Sequence, residues 1–159
     1  MAEFSRYEIF MLLNQPKPLW LSHIDLSGMD LRGVHVSGAT FIGANLEKVD
    51  LRGASLVETN LGGANLRGAK LIGADMRRAH LRGADLQGAD LREANLAEAD
   101  LSEANLTGTN LIDANLGAVD LTNANLTDAD LTGTNAPDHR LQRAKSLTGT
   151  ILPDGTQHD

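Results

Sequence analysis

Every fifth residue from Leu21 to Leu131 is apolar: 23 positions, 20 of them Leu and the others Val36, Phe41 and Met76. A second series of smaller residues runs two positions ahead of it. Its 23 members from Ile24 to Thr134 comprise 15 Ala, three Val and three Thr, with Ile24 and Met29 as the larger exceptions. The unit reads A-(D/N)-L-x-x, as in Ala44-Asn45-Leu46, Ala84-Asp85-Leu86 and Ala124-Asn125-Leu126. An α-helix turns about 100° per residue, so a five-residue step scatters these leucines around the axis. A straight strand alternates faces and sends leucines five apart to opposite sides. A chain that turns a corner once per repeat restarts the strand phase each time, and only then can every Leu be buried. Ala and Leu then both point inward, and the Asp or Asn between them points out.

Four such corners close a coil of 20 residues, and stacked coils pair like neighbouring strands at about 4.8 Å. The chain then holds about five and a half to six coils, a rod on the order of 25–30 Å long. Residues 20 apart become column-mates, so Leu26, Leu46, Leu66, Leu86, Leu106 and Leu126 are expected to form one interior ladder. Of the 16 glycines, 12 fall two residues after the central apolar position, where a corner needs positive φ. Past Gly88 that slot is often Glu, Asp or Asn, which predicts a different turn there.

This uninterrupted A(D/N)Lxx tandem, covering Leu21 to about Asn135, resembles the pentapeptide-repeat proteins. The resemblance implies an all-β fold, a right-handed quadrilateral β-helix with Leu or Phe at the centre and Ala two before it. It also implies a non-catalytic protein. The chain looks somewhat like the bacterial quinolone-resistance and topoisomerase-poison-immunity members too, anionic rods that take DNA's place on gyrase.

A solenoid end exposes its core, so capping pieces are expected. Residues 1–20 form an N-terminal cap and lead-in, with Phe4, Tyr7, Phe10, Met11 and Leu13 at mostly helical spacing over 3–14 and a stop at Pro16 and Pro18. Residues 21–135 form the β-helix. Residues 136–159 form a second cap, with a helix over 137–145 begun by Pro137 and a tail from Leu147 that folds back or dangles. Glu3, Arg6 and Glu8 do not fit a signal peptide, and no apolar run approaches a membrane span, so a cytoplasmic protein is expected. The absence of Cys excludes disulfides and thiol chemistry.

Catalysis has no foothold. His23, His35, His80, His139 and His158 fall on different columns, and outward side chains on a convex rod diverge. His35 and His80 stand in the Asp/Asn slot as solvated variants of it. Asp100 above Asp120, with His80 one coil below, is the nearest approach to a cation site, but 17 of the 22 slots from Asp25 to Asp130 are Asp or Asn, so acid ladders are general here. No metal and no cofactor is expected.

Charge carries the functional hint. Residues 1–92 are net +1, whereas residues 93–139 hold no Lys or Arg and nine acids. Eight of these, Glu93, Glu98, Asp100, Glu103, Asp113, Asp120, Asp128 and Asp130, form a candidate interaction face for a protein partner. Exposed Ile42, Val57, Ile72 and Ile112 are further contact points. The expected role is a structural or protein-interaction scaffold that binds an unidentified protein partner and neither nucleic acid nor membrane. The alternative is a DNA mimic on type II topoisomerase (DNA gyrase). Against it, no loop interrupts residues 21–135, Arg52, Arg67, Arg77, Arg78 and Arg82 spoil the front half as a phosphate array, and the polar chain past Asn135 favours a monomer over a dimer.

Overall fold

The computed structural model describes residues 6–13, 15 and 18–159. From Trp20 onward the chain is a parallel β-solenoid. Single parallel bridges join residue n to n+20, from Trp20 with Thr40 through to Asn110 with Asp130. Both apolar series point inward. The ladder from Leu26 to Leu126 is 0–2% exposed, and the alanines of the inward series from Ala39 to Ala129 are buried with it. Three buried threonines in the Ala slot donate their hydroxyls to carbonyls of the preceding coil, Thr59 to Val36, Thr109 to Leu86, and Thr150 to Leu126, whereas the buried Thr134 hydroxyl has no such acceptor.

The repeat satisfies each of its backbone N–H groups in turn. In Ala84-Asp85-Leu86-Gln87-Gly88, Ala84 N–H closes the corner on Leu81 O at 2.9 Å, and Asp85 N–H reaches back to Ala64 O at 2.9 Å. Leu86 and Gly88 N–H reach forward to Asn105 O at 2.8 Å and Thr107 O at 2.9 Å. The fifth, Gln87 N–H, lies on the corner with no carbonyl in reach, and the Asp85 carboxylate accepts it at 3.1 Å. The outward Asp or Asn is therefore a turn cap two residues ahead of its donor. That role explains the second letter of the repeat, which sequence reading took for an outward decoration.

The corners are uniform, contrary to the expectation of a new turn past Gly88. Glu93, Glu98, Glu103, Asp113, Ala118, Asn123 and Asp128 have φ of 57–62°, in the range of the glycine corners Gly43, Gly63 and Gly108 at 60–63°. Each closes an i to i+3 backbone bond of the type II pattern. The hydrogen-bonded ladder and the buried Leu on either side hold these residues in the left-handed region.

Helix α1 runs Arg6–Leu13 and buries Ile9 and Leu13 against the core. The outer ends of the expected 3–14 helix, Glu3, Phe4 and Asn14, lie outside the described residues, as does Pro16. At the other end α2 is one turn, Asp138–Leu141, and not 137–145. The chain then rejoins the ladder with one extra residue: Asn125 pairs with Ser146, and Asp130 with Ile151. The Leu147–Asp159 tail does not dangle. Gly149 closes a corner at φ 70°, and an antiparallel bridge from Ile151 to Gln157 turns the end back on itself. The renewed phase was visible as Leu147 and Leu152, five apart, but displaced by one residue from the earlier series.

Candidate interaction surface

Because the register is 20, outward residues sort into four sides. Side one carries Trp20, Thr40, Asn60, His80, Asp100 and Asp120; side two runs from Asp25 to Asn125; side three from Asp30 to Asp130; side four from His35 to Asn115. The eight candidate acids do not share one of them. Asp100 and Asp120 stack on side one and Asp130 lies on side three, while the rest occupy corners. Glu93 and Asp113 share one corner, Glu98 and Glu103 stand at the next two, and Asp128 at the fourth. What sequence reading took for a face is a belt around the rod. With a coil rise of about 4.8 Å, two coils make it about 10 Å deep.

Two kinds of acid make up the belt. Asp100, Asp120 and Asp130 are turn caps, each accepting both the N–H and the hydroxyl of the Ser or Thr two residues on; the hydroxyl bonds are 2.6 Å. The Thr122 hydroxyl and then its N–H hold the Asp120 carboxyl below its ordinary value, with Arg143 and Arg140 adding to the effect. The corner acids make no such cap, and Glu93, Glu98 and Glu103 are exposed. Glu103 is paired, accepting from Arg82 Nη2 at 2.8 Å. The Asp113 and Asp128 carboxylates lie over Gly133 and Gly149 of the next coil, where a Cβ would strike them.

The front half spends its acids differently. Arg32, Arg52, Arg77 and Arg92 each fork onto the Asp two residues before, Nε and Nη2 both bonded at 2.6–2.9 Å. These guanidiniums hold Asp50, Asp75 and Asp90 below the usual aspartate range. An Arg two residues after the Asp, as Asp-Leu-Arg three times and Asp75-Met76-Arg77 once, is the sequence signal for the fork.

His35 and His80 are exposed in the cap slot. No group of three or more His, Asp or Glu among the described residues could hold a metal ion. No helix among them is long and apolar enough to cross a membrane. Of the expected apolar contact points, Ile42 is exposed while Val57, Ile72 and Ile112 are half-buried. Trp20, 76% exposed at the start of side one, stands out more than any of them. An open polar groove is lined by Glu103, Asn105, Thr107, Asn123, Asn125 and Lys145. Its amides and hydroxyls are bonded to one another along the ladder, as in Asn125 Nδ2 to Thr107 Oγ1 at 3.0 Å.

Comparison with known proteins agrees with this geometry. The chain matches the family model described as pentapeptide repeats, in eight copies, over residues 21–56, 59–97 and 99–135. It is 31% identical, with a TM-score of 0.59, to a pentapeptide repeat protein from the Arabidopsis thaliana thylakoid lumen, over 86% of this chain and 82% of that one. A pentapeptide repeat protein from Nostoc Pcc 7120 is 45% identical with a TM-score of 0.51, over 54% of this chain and 69% of that one. QnrB1, a plasmid-mediated fluoroquinolone resistance protein, is 23% identical with a TM-score of 0.45, over 85% and 82%. No curated protein matches the chain in sequence. With its 20-residue register, capped corners and matched repeats, the chain belongs to the pentapeptide repeat family, whose fold is the right-handed quadrilateral β-helix.

Proposed function

We propose that this chain is a non-catalytic scaffold: a rigid rod, acting in the cytoplasm, that holds a basic protein partner on the acidic belt around residues 93–130. In this reading the β-helix of residues 21–135 has five and a half to six coils, and short pieces at 1–20 and 136–159 close its ends. The observation that carries the scaffold reading is the corner conformation. Glu93, Glu98 and Glu103 hold positive φ at three successive corners, where glycine would be free of strain. A left-handed non-glycine residue costs on the order of 1 kcal/mol. Carboxylates retained there are displayed outward on a fixed grid, suited to lysines and arginines of a partner.

Affinity capture from host lysate on the intact chain, beside a Glu93→Gln, Glu98→Gln, Glu103→Gln, Asp113→Asn variant, tests this. A partner held by the native chain at low salt is expected to leave the folded variant. Binding that ignores the four substitutions would overturn the reading. The DNA-mimic alternative is the weaker one. The anionic stretch is about two coils, or about 10 Å, deep, and the front half carries forked arginines in the positions a phosphate array would need.

A further inference from the structure

Side one differs from the other three in its charge order. One coil presents Arg78, His80 and Arg82 across it, and the next presents Glu98, Asp100 and Ser102, with Glu103 at the corner just beyond. His80 pairs with Asp100 through the backbone, so these rows are adjacent. Arg78 and Glu98 share one rim of the side, and Arg82 and Glu103 share the other. Side two offers a single such pair, Arg67 beside Asp85, and no other side sets three basic groups beside three acidic ones.

We propose that side one is a homotypic interface, on which a second copy of this chain docks antiparallel. A two-fold axis in the plane of the side, midway between the two rows, exchanges them and keeps each rim facing itself. Arg78 then meets Glu98 of the second copy, His80 meets its Asp100, and Arg82 meets its Glu103, and each contact occurs twice. The flanking rows fit as well. The bare corner Gly62-Gly63 faces Thr122 and Asn123, while Glu58 and Asn60 of the same row meet Ala118 and Asp120. Arg78 and Arg82 already pair with Glu58 and Glu103 of their own chain, but at 58% and 66% exposure each can bridge to a second carboxylate.

The side is roughly 30 Å by 12 Å from the coil rise and residue length. Two copies therefore bury about 700 Å², well under the 1,200–2,000 Å² of a stable complex. The dimer is accordingly weak, transient and sensitive to salt. It does not use the polar C-terminal end that led sequence reading to expect a monomer. It shares Glu98, Asp100 and Glu103 with the heterologous partner proposed above, so the two would compete, but the purified chain alone reports on it.

Sedimentation velocity of the purified chain tests the proposal. At low salt the weight-average coefficient is expected to rise with concentration towards about 1 mM, and at about 0.5 M salt the apparent Kd is expected to weaken at least tenfold. A Arg78→Glu, Arg82→Glu variant and a Glu98→Arg, Glu103→Arg variant should each stay monomeric alone and associate when mixed. A native chain that is monomeric throughout at low salt overturns the proposal. So does self-association that survives Arg78→Glu, Arg82→Glu, or a mixture of folded variants that fails to associate. Should either variant lose its β spectrum, Arg82→Gln and the native salt series decide in its place.

Discussion

The coils before residue 92 and those after it share one backbone and carry different surfaces. Up to Gly88, ten of the 14 positive-φ corners are glycine; from Glu93 to Gly133, only two of nine are. In the front half the capping Asp is mostly forked by an Arg, whereas in the back half it is bonded by a Ser or Thr hydroxyl. Corner φ, register and burial nevertheless match between the two. The difference teaches that the fold is specified by three positions of the five, the inward pair and the cap. The two corner positions are left to the surface, which here becomes mixed in one half and anionic in the other.

The first way to break this comparison is through the core. Leu66→Ala and Leu106→Ala each empty a fully buried site on one ladder. Each is expected to lose about 2–5 kcal/mol in guanidinium unfolding, and the same amount within about 1 kcal/mol of each other. A large inequality would mean that the halves are not one structural unit. The cap comes next. Asn65→Ala and Asn105→Ala strip the acceptor from Arg67 and Thr107 N–H and break the amide ladder to the coil before. A loss of about 0.5–1.5 kcal/mol is expected in each half, and Asn105→Asp, which keeps the N–H acceptor but sets a carboxylate against Asp85, should recover only part of it.

The smallest effect separates the halves by pH. Asp50, Asp75 and Asp90 have folded values lowered from 3.8 by their arginines. Their contribution therefore stands in full above about pH 4 and is lost as pH falls through the lower folded values. Thermal melts between pH 5 and 2 should show this fall, and Asp75→Asn with Asp90→Asn should flatten it.

The inward ladder was fully legible in the sequence, because a period of five admits no other way to bury all its leucines. The cap was half legible. Asp or Asn between Ala and Leu announced an outward slot, but its N–H acceptor lies two residues along, a link visible only once the corner is built. The corners past Gly88 were misread because glycine is the usual sign of positive φ, while Glu98 or Ala118 adopts it under the constraint of the ladder on both sides. The resumption at Ser146 was hidden by one inserted residue that shifted the phase. The acidic run was legible as composition, but its wrapping around the rod follows from the 20-residue register applied to each acid in turn.

The account rests on the back corners being strained positions kept for what they display. Replacing Glu93, Glu98 and Glu103 together by Gly and measuring guanidinium unfolding tests this directly. Relief of left-handed strain, less the entropy glycine adds to the unfolded chain, should raise stability by about 1.5–3 kcal/mol with an unchanged slope, and partner capture should be lost. A fall in stability would contradict the account and make those glutamates part of what holds the fold.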